Sequence, residues 1–123
     1  MEDKKLVLII EDYENLALAQ KEYLEDHNIE VIVAYSLDEA GKALKEFGPW
    51  LALIILDARL NSAKINSTPL IQEARKNHCD KPIIATSEDD SDLEILIKAG
   101  ATHSAEKSQA VLIALQILKN KGS

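Results

Sequence analysis

The chain has little of several things, and each shortage closes off a class of protein. A single cysteine, Cys79, stands among 123 residues, so no internal disulfide can form, which suits a reducing compartment. No apolar run approaches the ~20 residues of a membrane-spanning helix, and the opening Met1-Glu2-Asp3-Lys4-Lys5 lacks the pattern of a secretion signal. Positive charge is short: 14 Lys and Arg against 21 Asp and Glu leave −7, which disfavours sequence-independent binding to nucleic acid. His27, His78 and His103 share no metal-ligand spacing. No repeat, linker or low-complexity segment divides the chain, and its length suits one domain over residues 1–123. What is present is an ordinary globular balance, 46% hydrophobic and 28% charged. The expectation is a single cytoplasmic domain that engages neither nucleic acid nor membrane.

Short apolar runs alternate with amphipathic stretches. Leu6–Ile10, Val31–Ala34 and Leu51–Leu56 are unbroken aliphatic runs, and another begins at Ile83 after Pro82. Runs of this length, rich in branched residues, suit strands buried on both faces. Between them lie helical patterns near residues 14–27, 37–47, 69–77, 91–99 and 108–120. Ser36 or Leu37-Asp38 opens the second helix and Gly48-Pro49 closes it. Thr68-Pro69 suits a cap followed by a first helical residue, Ser91 or Asp92 a cap for the fourth helix, and Gly100 its end. A fifth strand at Thr102–Glu106 rests on its place between two helices, because it has little apolar content. Trp50 is expected as an anchor at the entrance of the third strand, and Cys79 as a thiol near a turn.

Five successive βα units require right-handed crossovers and a parallel sheet covered on both faces. The fold class is therefore α/β, flavodoxin-like (βα)5, with strand order 2-1-3-4-5. In that order the carboxyl ends of strands 1 and 3 flank the crevice where ligands bind.

The residues after each strand carry the chemistry. Glu11 and Asp12 follow strand 1, Asp57 follows strand 3, Thr86 and Ser87 end strand 4, and Lys107 follows strand 5. Three carboxylates on one rim repel by a few kcal/mol per close pair at an effective dielectric of about 20, which protonation or a hard divalent cation relieves. An all-oxygen set without His or Cys suits Mg²⁺. Asp57, alone on the central strand, is then a candidate nucleophile toward phosphorus, with Lys107 and Ser87 as donors to the transferred group. A flavin or nucleotide carrier would need glycines or hydroxyls after strand 1 to cradle phosphate, where Glu11-Asp12 stand. A haloacid-dehalogenase-like phosphatase would want aspartate two residues after its nucleophile, where this chain has Arg59.

At these residues the sequence resembles the receiver domain of two-component response regulators, over nearly the whole chain. The motifs are Leu8-Ile9-Ile10-Glu11-Asp12, Ile54-Ile55-Leu56-Asp57, Pro82-Ile83-Ile84-Ala85-Thr86-Ser87, and Gly100-Ala101 followed by Lys107. The resemblance implies a phosphoacceptor role for Asp57, supplied by a histidine kinase or phosphotransfer protein. It implies Mg²⁺ held by Asp12, Asp57 and the Arg59 backbone carbonyl, with Glu11 acting through water. Lys107 would pair with the phosphoryl group and Ser87, rather than Thr86, would turn inward to hydrogen-bond it. Such a domain is a signalling acceptor with slow self-hydrolysis rather than an enzyme.

The departures bear on output. The loop Ala58–Ser67 has neither proline nor glycine, Ser104 stands where an aromatic switch residue is usual, Ser108 replaces a proline, and Glu88 replaces a small residue. They favour an alternative, a pseudo-receiver that acts as an interaction module without phosphorylation. Arg59 is expected to pair with Glu88 or Asp89 across the pocket mouth and to slow the entry of hydrolytic water. Because no effector follows the fifth helix, a downstream protein or a second copy of the chain is expected on the face of helix 4, strand 5 and helix 5, unless the chain is a receiver cut from a larger protein. Leu93, Leu96 and Ile97 are expected to face the core, leaving Ile95, Ser104, Ile113 and Ile117 on that partner surface.

Overall fold

The computed structural model of the chain describes residues 4–120. Within them, strands and helices alternate as β1 (Leu6–Ile10), α1 (Glu14–Glu25), β2 (Glu30–Ala34), α2 (Leu37–Phe47), β3 (Leu51–Asp57), α3 (Thr68–Lys76), β4 (Ile83–Thr86), α4 (Asp90–Ala99), β5 (His103–Ala105) and α5 (Ala110–Asn120). The strands form one parallel sheet in the order 2-1-3-4-5, which is the flavodoxin-like (βα)5 arrangement that the alternation of patterns implies.

The unbroken aliphatic runs have a direct cause. Successive strand side chains point to opposite faces, and both faces here are covered. Val7, Ile9, Leu53, Ile55 and Ile84 pack with Ala17, Leu24, Ala110 and Ala114 of α1 and α5. Leu8, Ile10, Ile54, Leu56 and Ile83 pack with Ala40, Leu44, Leu70, Ile71, Ala74 and Leu96 of α2, α3 and α4. Each buried aliphatic side chain contributes roughly 1.5–3 kcal/mol relative to exposure, so both pleat parities are apolar along β1 and along β3 until its last residue, Asp57.

Several local expectations are corrected. Ser36 caps α2 by accepting from the Glu39 N–H at 3.1 Å, but Thr68 does not cap α3. Thr68 is already helical, and the preceding Ser67 spends its hydroxyl on the Ala58 carbonyl at 3.1 Å, tying the loop back to β3. The cap of α4 is Asp89, which accepts from the Ser91 N–H at 2.9 Å, rather than Ser91 or Asp92. Trp50 is 70% exposed and does not anchor the entrance of β3; Cys79 does follow a turn, at residues 77–78, and is buried in the core there. Ile97 is exposed beside Ile95, so only Leu93 and Leu96 of the expected face turn inward. Ile113 and Ile117 are half-buried against the layer of α1 and α5, and Leu112 is the exposed aliphatic of that helix. The wide apolar arc of α5 is thus mostly core.

Candidate functional site

Strand register brings the polar residues together. Ile10 pairs with Leu56, Leu56 with Ala85, and Asp57 with Thr86, which in turn pairs with Ala105. One step further along each strand the chain leaves the sheet at a common rim, delivering Glu11, Asp57, Ser87 and, after β5, Lys107. Asp57 shares the pleat parity of Leu53 and Ile55, which face α1 and α5. Its side chain therefore turns toward the loops opening those helices, the loops that carry Glu11-Asp12 and Lys107. Ligand oxygens of Glu11, Asp12 and Asp57 all lie within 4.8 Å of one another. The Lys107 ammonium stands 3.2 Å from Glu11 Oε1 and 3.3 Å from Asp57 Oδ2.

Glu11 and Asp57 are buried and Asp12 is half-buried. All three carboxylates accept from backbone: the Tyr13 N–H donates to Glu11 Oε2 at 3.0 Å, the Asn61 N–H to Asp12 Oδ2 at 2.9 Å, and the Arg59 N–H, more weakly, to Asp57 Oδ1 at 3.4 Å. Asp12 is thereby occupied with the β3–α3 loop and does not cap α1, whose N-cap is Tyr13 without a side-chain bond. Burial drives the Asp57 carboxyl up to about 8, and the negative charge of Glu11 adds to this while Lys107 opposes it. Burial also pulls on Asp12, but the Asn61 N–H and hydrogen bonds with Glu11 and Asp57 outweigh it and leave that carboxyl below its ordinary value. Lys107 is held above its ordinary value because Asp57 and Glu11 overcome the cost of burying its charge. Clustered carboxylate oxygens without nitrogen or sulfur form a donor set that fits a hard divalent cation, and Glu11, Asp12 and Asp57 are the residues able to hold it.

A cavity of about 240 Å³ opens above the cluster, lined by Asp12, Asp57, Arg59, Ser87, Glu88, Asp89 and Lys107. Ser87 faces it, whereas Thr86 is buried with its hydroxyl 3.4 Å from the Leu56 carbonyl. At the far wall the expected pairing of Arg59 is only partly present. Asp89 is a secondary partner at 3.4 Å, and Glu88 is exposed on the rim. The principal partner is Asp92, gripped through Nε at 2.7 Å and Nη2 at 3.2 Å. Arg59 also donates to the Ala63 carbonyl at 2.9 Å, and its pKa is raised chiefly by the hydrogen bond to Asp92. Ser87 donates its hydroxyl to the same Asp92 at 2.9 Å and accepts from the Asp89 N–H at 3.1 Å. Asp92 was not singled out as a site residue from the sequence, because it stands in the acidic run Glu88-Asp89-Asp90-Ser91-Asp92 that looks like an ordinary helix start. Its burial, 3% exposed, is the feature that separates it from its neighbours.

Ser104 is exposed on the edge strand β5, beside a shallow groove that also touches Leu93, Ile97 and Lys98. Among the described residues no helix is long and apolar enough to cross a membrane.

No family model matches the chain, and no curated protein matches it by sequence. Solved structures do. A CheY-like response regulator receiver domain protein from Methanospirillum hungatei JF-1 aligns with TM-score 0.78 at 21% identity, over 97% of this chain and 94% of that one. A response regulator signal receiver domain from Bermanella marisrubri aligns with TM-score 0.77 at 23% identity, over 96% and 98%. A response regulator protein from Burkholderia pseudomallei, solved with a phosphorylated aspartic acid, a calcium ion and citrate, aligns with TM-score 0.78 at 24% identity, over 91% of this chain and 65% of that one. The chain has the fold of response regulator receiver domains.

Proposed function

We propose that the chain is a phosphorylatable receiver, in which Asp57 takes a phosphoryl group from a histidine kinase or phosphotransfer protein and the modified chain signals by binding another protein. The observation that carries this reading is the Lys107 ammonium lying within 3.3 Å of both Glu11 and Asp57 at the mouth of a cavity. A structural ion pair would need one carboxylate there, and three crowd the spot.

In the transfer, a carboxylate oxygen of Asp57 attacks phosphorus. The new O–P bond forms as the P–N bond to the donor imidazole breaks, and the bonding electron pair leaves with the ring nitrogen. Mg²⁺, held by Glu11, Asp12 and Asp57 with the Arg59 carbonyl, would neutralise carboxylate charge and draw the phosphoryl oxygens toward the site. Lys107 sits where it can stabilise added negative charge on Asp57, and Ser87 is the hydroxyl nearest the cavity able to donate to it. Water later hydrolyses the acyl phosphate slowly, so the domain is a timed signal and not a turnover enzyme.

The output surface in this reading is the face of α4, β5 and α5. Exposed Ile95, Ile97 and Leu112 together with Ser104 form its accessible part, while Ile113 and Ile117 contribute edges only. A downstream protein or a second copy of the chain would dock there. The reading includes a cytoplasmic location, supported by a lone buried thiol at Cys79, and no nucleic-acid partner, supported by the net charge of −7.

The pseudo-receiver alternative is favoured by one observation: Ser87 already spends its proton on Asp92. Incubation with acetyl phosphate and Mg²⁺, read by intact mass, separates the two. Gain of one phosphoryl group by the wild type and none by Asp57→Asn supports the acceptor. No gain in either leaves the interaction module as the function.

A further inference from the structure

The Ser87 hydroxyl borders the cavity that Asp57 lines, yet it bonds in the other direction. We infer that Asp92 is a positioning residue: a latch that holds Ser87 away from Asp57 in the unphosphorylated chain and gives it up to the phosphoryl group. This inference rests on the reading of Asp57 as acceptor.

A serine hydroxyl has one proton to donate. Here it is committed to Asp92 Oδ2 at 2.9 Å, while the hydroxyl oxygen accepts from the Asp89 N–H at 3.1 Å. The group is pinned from both sides. Strand geometry explains the direction: Ser87 continues the parity of Ile83 and Ala85, whose side chains face α3 and α4, and Asp92 lies in the first turn of α4. Asp57 has the opposite parity, toward α1 and α5.

Asp92 would be a costly acceptor if Ser87 were its sole support, because a buried carboxylate needs a counter-charge. Arg59 supplies it with two hydrogen bonds, 2.7 and 3.2 Å, and is itself held by the Ala63 carbonyl and Asp89. Asp92 therefore remains paired whether or not Ser87 stays. Two anionic acceptors, Asp92 and a phosphoryl oxygen, then compete for one proton, and each offers a charge-assisted hydrogen bond. The competition defines two states whose balance the phosphoryl group shifts only by its advantage over Asp92. Because Asp89 both caps α4 and donates to Ser87, release of Ser87 changes the contacts at the start of α4.

The test is a double-mutant cycle on the full chain with beryllofluoride, a phosphoryl mimic, titrated in the presence of Mg²⁺ and followed by amide NMR. Asp92→Ala should lower the half-saturating beryllofluoride concentration about tenfold, which corresponds to about 1.4 kcal/mol. In a Ser87→Ala background the same change should have less than about a twofold effect, since no proton remains to be contested. Asp92→Asn, which keeps an acceptor oxygen but loses the charge, should fall between wild type and Asp92→Ala, and carries the cycle if the alanine variant does not fold. Equal tightening in both backgrounds overturns the latch, because the effect would then not run through Ser87; so does unchanged or weaker binding by the Asp92 variants when the wild type binds. Failure of the wild type and every variant to take up beryllofluoride overturns the acceptor reading itself, and the latch with it.

Discussion

Lys107 and Asp57, fifty residues apart in sequence, meet at 3.3 Å, and the contact does not neutralise the site. Lys107 is shared with Glu11 at 3.2 Å, so one positive charge faces two buried carboxylates with Asp12 close by. The excess is what burial and Glu11 express in raising the Asp57 carboxyl to about 8. The rim is built at a local cost in stability, which is common where a site serves a function rather than the fold.

That cost is measurable. The folded-state pKa of Asp57 is raised from an ordinary 3.8 to about 8, so between those values the folded chain binds more protons than the unfolded one. Stability contributed at this position therefore falls as pH rises through that window. Asp57→Asn removes the charge and should stabilise the metal-free chain at pH 8 by on the order of 2 kcal/mol, after allowance for solvent screening. Near pH 4 the gain should shrink toward zero. Urea denaturation at the two pH values checks this, and an equal effect at both would contradict the assignment of the shift to ionisation of Asp57.

Cation binding should follow the same proton. Asp12 is held ionised below its ordinary range, so at neutral pH Asp57 is the carboxyl that must give up a proton when Mg²⁺ binds. Apparent Mg²⁺ affinity should rise about tenfold per pH unit from 6 to 8 and level off above. Calorimetric titrations across that range would show it, with Asp12→Asn weakening binding throughout. A pH-independent affinity would place the cation away from Asp57.

Arg59 lies on the opposite wall of the cavity, holding Asp92, Asp89 and the Ala63 carbonyl at once. It thereby joins the β3–α3 loop to the start of α4 beside the cavity that Asp57 lines. Arg59→Ala should open that wall to water and shorten the lifetime of the Asp57 phosphoryl group several-fold. The decay of phosphorylated mass after removal of acetyl phosphate measures it, and a wild-type decay rate would assign Arg59 to structure alone.

The meeting of Glu11, Asp12, Asp57 and Lys107 was legible in the sequence, and the place of Asp92 was not, for a physical reason. Glu11, Asp12 and Asp57 stand at the carboxyl ends of strands whose faces are apolar, and Lys107 follows the short polar β5, whose place came from the alternation of elements, so their position on the rim follows from topology. Asp92 sits on a helix among four other polar residues, and periodicity cannot separate one buried acid from exposed ones. What buries it is a pair of tertiary partners, Arg59 and Ser87, contributed by the loops after β3 and β4. Ile97 and Trp50 were misplaced for a related cause. Aliphatic or aromatic character predicts burial only where another element arrives to cover it, and among the described residues none covers those two positions.

Two glycines test the packing independently of the chemistry. Gly41 lies within α2 with open space where a Cβ would stand, whereas a Cβ on Gly48 would run into the carbonyl oxygen of Asn77 at the end of α3. Helix propensity alone favours alanine over glycine by about 1 kcal/mol in a helix interior, so Gly41→Ala should raise stability by roughly that amount. Gly48 has an αR backbone that alanine adopts without strain, and a loss there can arise only from collision with Asn77. That collision presses on backbone, which yields less readily than a side chain, so Gly48→Ala should cost on the order of 1–3 kcal/mol. Opposite signs from one substitution type, read by urea denaturation, would confirm that the α2–β3 turn is seated directly on the end of α3. A neutral Gly48→Ala would mean that the two turns are not in contact in solution, and the support they give to the entrance of β3, the strand that ends in Asp57, would be lost with them.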